Sequence, residues 1–246
     1  MTSIDLNCDM GEGMPNDAAL MPLISSANIA CGYHAGDGQI MQKTITLALE
    51  HGVKIGAHPS FPDRENFGRT PMQLPAEEIT AIVKHQIELL AELAEKHHTR
   101  VHHVKPHGAL YNMAWRDTEI ATAICKAILE TDPSLVLYAQ SGSALISFGE
   151  TLGLQTCSEV FADRSYQPDG SLTPRSMPHA LLENDADVLR QVLQMVTQQT
   201  VNADGQTIPV RAQTICLHGD GAHAVAFAQL LRETFRVHHI GVLSKT

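Results

Sequence analysis

The chain has 246 residues, of which 27 are acidic and 17 are lysine or arginine, for a formal net charge of −10 with histidine neutral. That balance argues against the clustered cationic surface by which proteins grip nucleic acid or an anionic membrane. The 43% apolar content is ample for one large core, while 14 histidines, nearly as many as the cations, demand a chemical explanation.

Taken in order, short apolar runs alternate with longer helical patterns. The spacing predicts strands near Ile4–Cys8, Ala27–Cys31, Val53–Ala57, Val101–Lys105, Leu135–Ala139, Thr156–Phe161 and Thr214–His218. Helices are expected over Gln39–His51, Ala76–His97, Thr118–Thr131, Asp185–Thr200 and Ala222–Phe235. The second of these follows a proline, carries Glu77 and Glu78 in its first turn, and repeats Ile79, Ile82, Val83, Ile87, Leu90 and Leu93 at helical spacing. Strand and helix alternating without a composition break read as one parallel α/β domain over 1–246. Two connections, Pro59–Pro75 and Ala162–Asn184, are too long for routine loops and are expected to be functional. The start, MTSIDLNCDMGEG, is acidic and lacks the apolar stretch of a signal peptide, and no run of about 18 uncharged apolar residues follows, so a cytoplasmic protein is expected.

Parity within each strand separates an apolar face from a polar one. Ile4, Leu6 and Cys8 oppose Asp5, Asn7 and Asp9; Ile55 and Ala57 oppose Lys54, Gly56 and His58; His103, Lys105 and His107 share a face. An open sheet covered by helices on both sides would be apolar throughout. The split fits a barrel whose outside packs on helices and whose inside is polar. Polar residues also gather at the C-terminal strand ends: Asp9 and Glu12, His34 and Asp37, His58 and Asp63, Lys105 and His107, Glu159 and Asp163, His218 and Asp220. Parallel barrels build their active sites at that end. Any one pair has a plainer use, and Asp37 and Asp220 are placed to cap helices; six at one rim point to a pocket.

Known chemistries narrow its use. The five cysteines are odd in number, widely spaced and without a CxxC pair, so they are read as buried reduced thiols, with Cys31 and Cys216 as the minority nucleophile candidates. HExxH is absent, and His103 and His107 lie on a strand where their spacing makes no helix face, so no metal ligand set is assigned. GxxxxGK[ST] and GxSxG are absent too. Arg64, Arg69, Arg164 and Arg175 in the two long connections suit an anionic ligand or, equally, loop salt bridges. General acid and base chemistry on water is the natural use of the carboxylates and imidazoles.

Six blocks carry a resemblance: DLNCDMGE (Asp5–Glu12), SANIACGYHAGD (Ser26–Asp37), GAHPSFPDRENFGR (Gly56–Arg69), HVKPHGALYN (His103–Asn112), EVFADRSYQPDGSLTPR (Glu159–Arg175) and CLHGDGAHA (Cys216–Ala224). Together they resemble the LamB/YcsF family, whose members are one component of the bacterial ATP-dependent 5-oxoprolinase. The resemblance implies an irregular, seven-stranded (β/α) barrel of the polysaccharide-deacetylase type. It also implies cleavage of 5-oxo-L-proline to L-glutamate with ATP, accompanied by Mg2+, as co-substrate, beside two further 5-oxoprolinase subunits of the B and C types. Set against these residues, the expected catalytic groups are Asp9, His58, Lys105, His107, His218 and Asp220. Asn7, Glu12, His34, Asp37, Asp63, Arg64, Glu159, Asp163 and Arg164 are expected at the substrate, with Arg64 or Arg164 on its carboxylate. The alternatives are a metal-dependent deacetylase-like hydrolase acting alone and a non-catalytic member of the complex.

Overall fold

In the computed structural model, which describes residues 2–182, 184–217 and 224–244, seven parallel strands close on themselves. These are β1 (Ser3–Met10), β2 (Ser26–Ala30), β3 (Lys54–His58), β4 (His103–Val104), β5 (Val136–Gln140), β6 (Thr156–Phe161) and, late in the chain, β9 (Thr214–Leu217). Each pairs with the next, and β9 returns to β1 through Asp5 opposite Thr214 and Asn7 opposite Cys216. The strands fall where the apolar runs predict them. Two elements lie outside that expectation. An antiparallel hairpin, β7 (Thr200–Ala203) and β8 (Gln206–Pro209), turns at Asp204-Gly205, both with positive φ, and a short β10 (Gly241–Val242) lies along the start of β1.

The helices wrap the barrel: α1 (Asp17–Leu20), α2 (Gly38–His51), α3 (Ala76–Lys96), α4 (Gly108–Met113), α5 (Thr118–Thr131), α6 (Ala144–Thr151), α7 (Asp185–Gln198) and α8 (Ala224–Val237). Their limits have local causes. Asp37, Asp117 and Asn184 cap α2, α5 and α7 by accepting from backbone amides of the first turn. Gln199, left-handed at φ +54°, ends α7 before the expected Thr200 and releases the chain into β7. Ile4, Leu6, Cys8 and Met10 face outward into one continuous core with Met41 and Ile45 of α2, Val83 and Ile87 of α3, and Ile124 and Ile128 of α5. No helix among the described residues is long and apolar enough to cross a membrane.

The barrel interior is polar and paired in tiers. At the bottom, Asp5 accepts from the hydroxyls of Ser25 (2.6 Å), Ser26 (2.8 Å) and Thr214 (2.6 Å). One tier up, Asn7 donates to Glu159 (2.8 Å) and Thr214 (2.7 Å), and its carbonyl accepts from Asn28 (2.8 Å). His103 Nε2 donates to Asn28 Oδ1 (2.8 Å), and its ring stacks on Tyr138 at 4.1 Å between centroids. Gly56 makes room for that ring: a Cβ there would stand 2.1 Å from His103 Nε2. Each of these buried donors has an acceptor, the condition for burying so much polarity without a large desolvation cost.

Candidate active site

Above this stack, at the C-terminal rim, lies a cavity of about 740 Å³. Asp9, Glu12, His58, Lys105 and His107 form its floor, and the two long connections, α4 and the turn after it supply walls including Phe67, Arg69, Tyr111, Trp115, Arg164 and Arg175. Size and lining fall within the usual range for a small-molecule site.

Lys105 occupies the centre. Its ammonium donates to Asp9 Oδ1 (2.9 Å), Asn7 Oδ1 (3.1 Å) and Cys216 Sγ (3.1 Å), and Glu159 Oε1 is 2.9 Å away. Burial alone would lower its pKa, but the facing carboxylates of Asp9 and Glu159 hold it well above the ordinary lysine value. Asp9 mirrors it: burial works to raise its carboxyl, and His58 and Lys105 overcome this to set it well below the usual range. Tyr111 fastens Glu159 from the other side, its hydroxyl donating at 2.5 Å to Oε2.

Four side chains from four successive strand ends meet beside this group. Glu12, His34, His58 and His107 each direct one ligand-type atom to a common point, all within 4.8 Å of one another. The rings of His34 and His107 stack at 3.8 Å, and His58 meets His107 edge-on. Burial, with a smaller contribution from His58, drives the pKa of His34 down to about 3 and that of His107 to about 2. The geometry rests on a close chain crossing. Gly108, at positive φ, lies where a Cβ would be 2.3 Å from the Gly68 carbonyl, and Phe67, left-handed at φ +57°, presents its carbonyl to His107.

The structure thus brings Asn7, Asp9, Glu12, His34, His58, Lys105, His107 and Glu159 together. It corrects others. Asp37 is the cap of α2. Arg64 donates to the carbonyls of Gly32 (3.0 Å) and Gly36 (2.8 Å), so it staples the loop after β2 instead of facing the cavity. Asp63 holds its own loop through Asn66 (2.7 Å) and the Thr70 amide (3.0 Å). Asp163 is not among the cavity-lining residues, and its carbonyl accepts from the Leu182 amide. Arg164 lines the wall, with Nε and Nη2 spent on the carbonyls of Ala180 and Thr173. His218 and Asp220 lie outside the described residues. Cys31 and Cys216 are fully buried, which pushes Cys31 up to about 12 and Cys216 well above the ordinary thiol value and argues against either as a nucleophile. Sequence reasoning did not single out Phe67, Tyr111 and Trp115; the first two lie inside the quoted blocks, and all three reach the cavity only through the loop and helix geometry.

A LamB/YcsF family model matches residues 4–245. The chain belongs to the LamB/YcsF family. It is 39% identical to a lactam utilization protein from Thermus thermophilus, whose crystal structure superposes with a TM-score of 0.93 over 99% of this chain and 100% of that one. More distant barrels share the fold alone. The catalytic domain of a peptidoglycan N-acetylglucosamine deacetylase from Eubacterium rectale matches at TM-score 0.53 and 12% identity, covering 100% of this chain and 89% of its own. A peptidoglycan deacetylase from Bacillus subtilis matches at 0.50 and 12%, covering 99% and 87%. The closed seven-stranded barrel of the deacetylase type is therefore the architecture of this LamB/YcsF chain.

Proposed function

We propose that this LamB/YcsF protein is the lactam-opening component of an ATP-dependent 5-oxoprolinase, converting 5-oxo-L-proline to L-glutamate in company with two other subunits. The observation that carries the reading is the kinship, over the whole chain, with a lactam utilization protein, joined to a rim cavity with an ammonium between carboxylates on its floor and arginines on its wall.

A five-membered lactam is an unactivated amide, so coupling to ATP supplies the driving force. In the scheme favoured here the terminal phosphoryl group passes to the lactam oxygen and ADP leaves. Water adds to the ring carbon, and collapse of the adduct expels the ring nitrogen. The acyl phosphate left behind is hydrolysed by a second water, giving glutamate and phosphate. Lys105 and the wall arginines Arg69, Arg164 and Arg175 meet the negative charge of carboxylate and phosphate. Asp9, 3.3 Å from His58 on the floor, orients the attacking water and accepts its proton. A cavity of about 740 Å³ exceeds what a single small lactam needs and leaves space for a second reactant.

The test is an assay of 5-oxoproline cleavage and ADP formation with this chain alone, with each partner, and with both. Glutamate formed only with ATP and the full assembly supports the reading; ATP hydrolysis that does not respond to 5-oxoproline in any combination sinks it. A hydrolase acting alone is a second reading, favoured by the histidine cluster, and turnover by the isolated chain without nucleotide would mark it.

A further inference from the structure

Among the described residues, three rim histidines are each fixed in one tautomer by a partner on the far side of the ring. His58 Nδ1 lies 2.6 Å from the Lys105 carbonyl and His107 Nε2 lies 2.9 Å from the Phe67 carbonyl. A carbonyl only accepts, so these nitrogens carry the ring protons. His34 Nδ1 lies 3.0 Å from Ser60 Oγ, whose own proton goes to the Phe61 carbonyl at 3.0 Å, so Ser60 accepts from His34. Ser60 is itself held by Gln86 of α3, which bonds both its amide and its carbonyl.

The consequence is on the inner side. In the neutral rings, His34 Nε2, His58 Nε2 and His107 Nδ1 all turn lone pairs toward one point, with His58 Nε2 only 3.0 Å from His107 Nδ1 and 3.3 Å from Asp9 Oδ2. Glu12 Oε1 lies 3.2 Å from His34 Nε2 and 3.6 Å from His107 Nδ1. Two acceptors facing at such a distance repel unless a cation lies between them. Among the described residues, three carboxylates in this region, Asp9, Glu12 and Glu159, stand against the single ammonium of Lys105.

We propose that Glu12, His34, His58 and His107 bind one divalent transition-metal ion of the zinc class. Three imidazole nitrogens and a carboxylate oxygen are the donor set such ions prefer. The far-side contacts to Ser60, Lys105 and Phe67 are the outer partners that orient metal-binding histidines. The strain at Phe67 has a use in this arrangement, since its left-handed turn aims the carbonyl that fixes His107. Glu12, His58 and His107 also line the cavity, so the site opens toward a ligand. A bound ion there would supply Lewis acidity to a carbonyl, phosphoryl or water oxygen. Binding of the ion does not depend on the lactam reading.

The competing arrangement is a proton shared between His58 and His107. To separate the two, the untagged full-length chain is stripped with a chelator and titrated with Co2+ and with Zn2+, followed by calorimetry and visible absorption. The expected result is one equivalent of each, with the intense visible bands of four-coordinate cobalt. Affinity should fall at least about 100-fold in Glu12→Gln and His107→Ala, and by roughly 10–100-fold in Ser60→Ala, which removes no ligand. Absence of heat and of cobalt bands in the folded wild type overturns the proposal, as does binding unchanged in all three variants. Should a ligand variant fail to fold, unchanged affinity in Ser60→Ala is sufficient to overturn it.

Discussion

Lys105 touches acceptors on three strands, β1, β6 and β9, and so ties the rim together as well as charging it. Removing it would leave the buried Glu159 and the half-buried Asp9 without their cation, a loss of about 3–5 kcal/mol. Lys105→Met is therefore expected to lower stability by that amount in denaturant titration, and a loss below about 1 kcal/mol would show that the ion pairs contribute little. The inner-facing residues at this scale were readable from strand parity: Asp5, Asn7, Asp9, His58, His103 and Lys105 all point where alternation puts them. The direction of long side chains was not. Arg64 and Arg164 sit in similar sequence contexts and both guanidiniums end on loop carbonyls, yet only Arg164 lines the cavity wall. Nor did spacing reveal the meeting of Glu12, His34, His58 and His107, because each comes from the end of a different strand and only barrel closure makes them neighbours.

Among the elements, β3 shows most directly how backbone space shapes the interior. Gly56 faces inward where His103 crosses the barrel, and any side chain would occupy that ring's position. Gly56→Ala is expected to destabilise the fold by roughly 1–3 kcal/mol or more through overpacking, and to displace His103 from Asn28. A thermal midpoint equal to wild type would contradict the close approach. The five helices expected from the sequence were legible to within a residue or two because capping residues and apolar periodicity agree, as in α5 with Asp117 before it, whereas the short α1, α4 and α6 were not anticipated. The β7–β8 hairpin did carry a signal, Asp204-Gly205 between alternating residues, which the prevailing strand-helix rhythm concealed. The two-residue β10 carried none.

For the whole molecule, polarity inside and apolarity between barrel and helices leave a characteristic response to acid. Burial lowers His103 well below the ordinary histidine value of 6.5, and burial with nearby Lys54 and Arg100 lowers His102 to about 4. The unfolded chain takes up these protons near pH 6.5 while the fold refuses them, so their contribution is complete above about 6.5 and is lost as pH falls toward 4 and below. The unfolding midpoint should decline over that range, and His103→Gln, which keeps a donor for Asn28 but cannot titrate, should decline less steeply. Equal slopes would rule out His103 as a contributor.

At this same scale, barrel closure and the position of the rim followed from seven polar-faced strands, whereas the reaction did not, since the same barrel serves unrelated chemistries. The central claim is that the rim opens a lactam at the expense of ATP, and Asp9 tests it at least cost to the fold because Asn preserves its shape. In the assembly reconstituted with its partner subunits, Asp9→Asn, shown by its unfolding midpoint to be folded, should lose at least about 100-fold in 5-oxoproline-dependent ADP and glutamate formation. Wild-type rates in the folded variant would contradict the account.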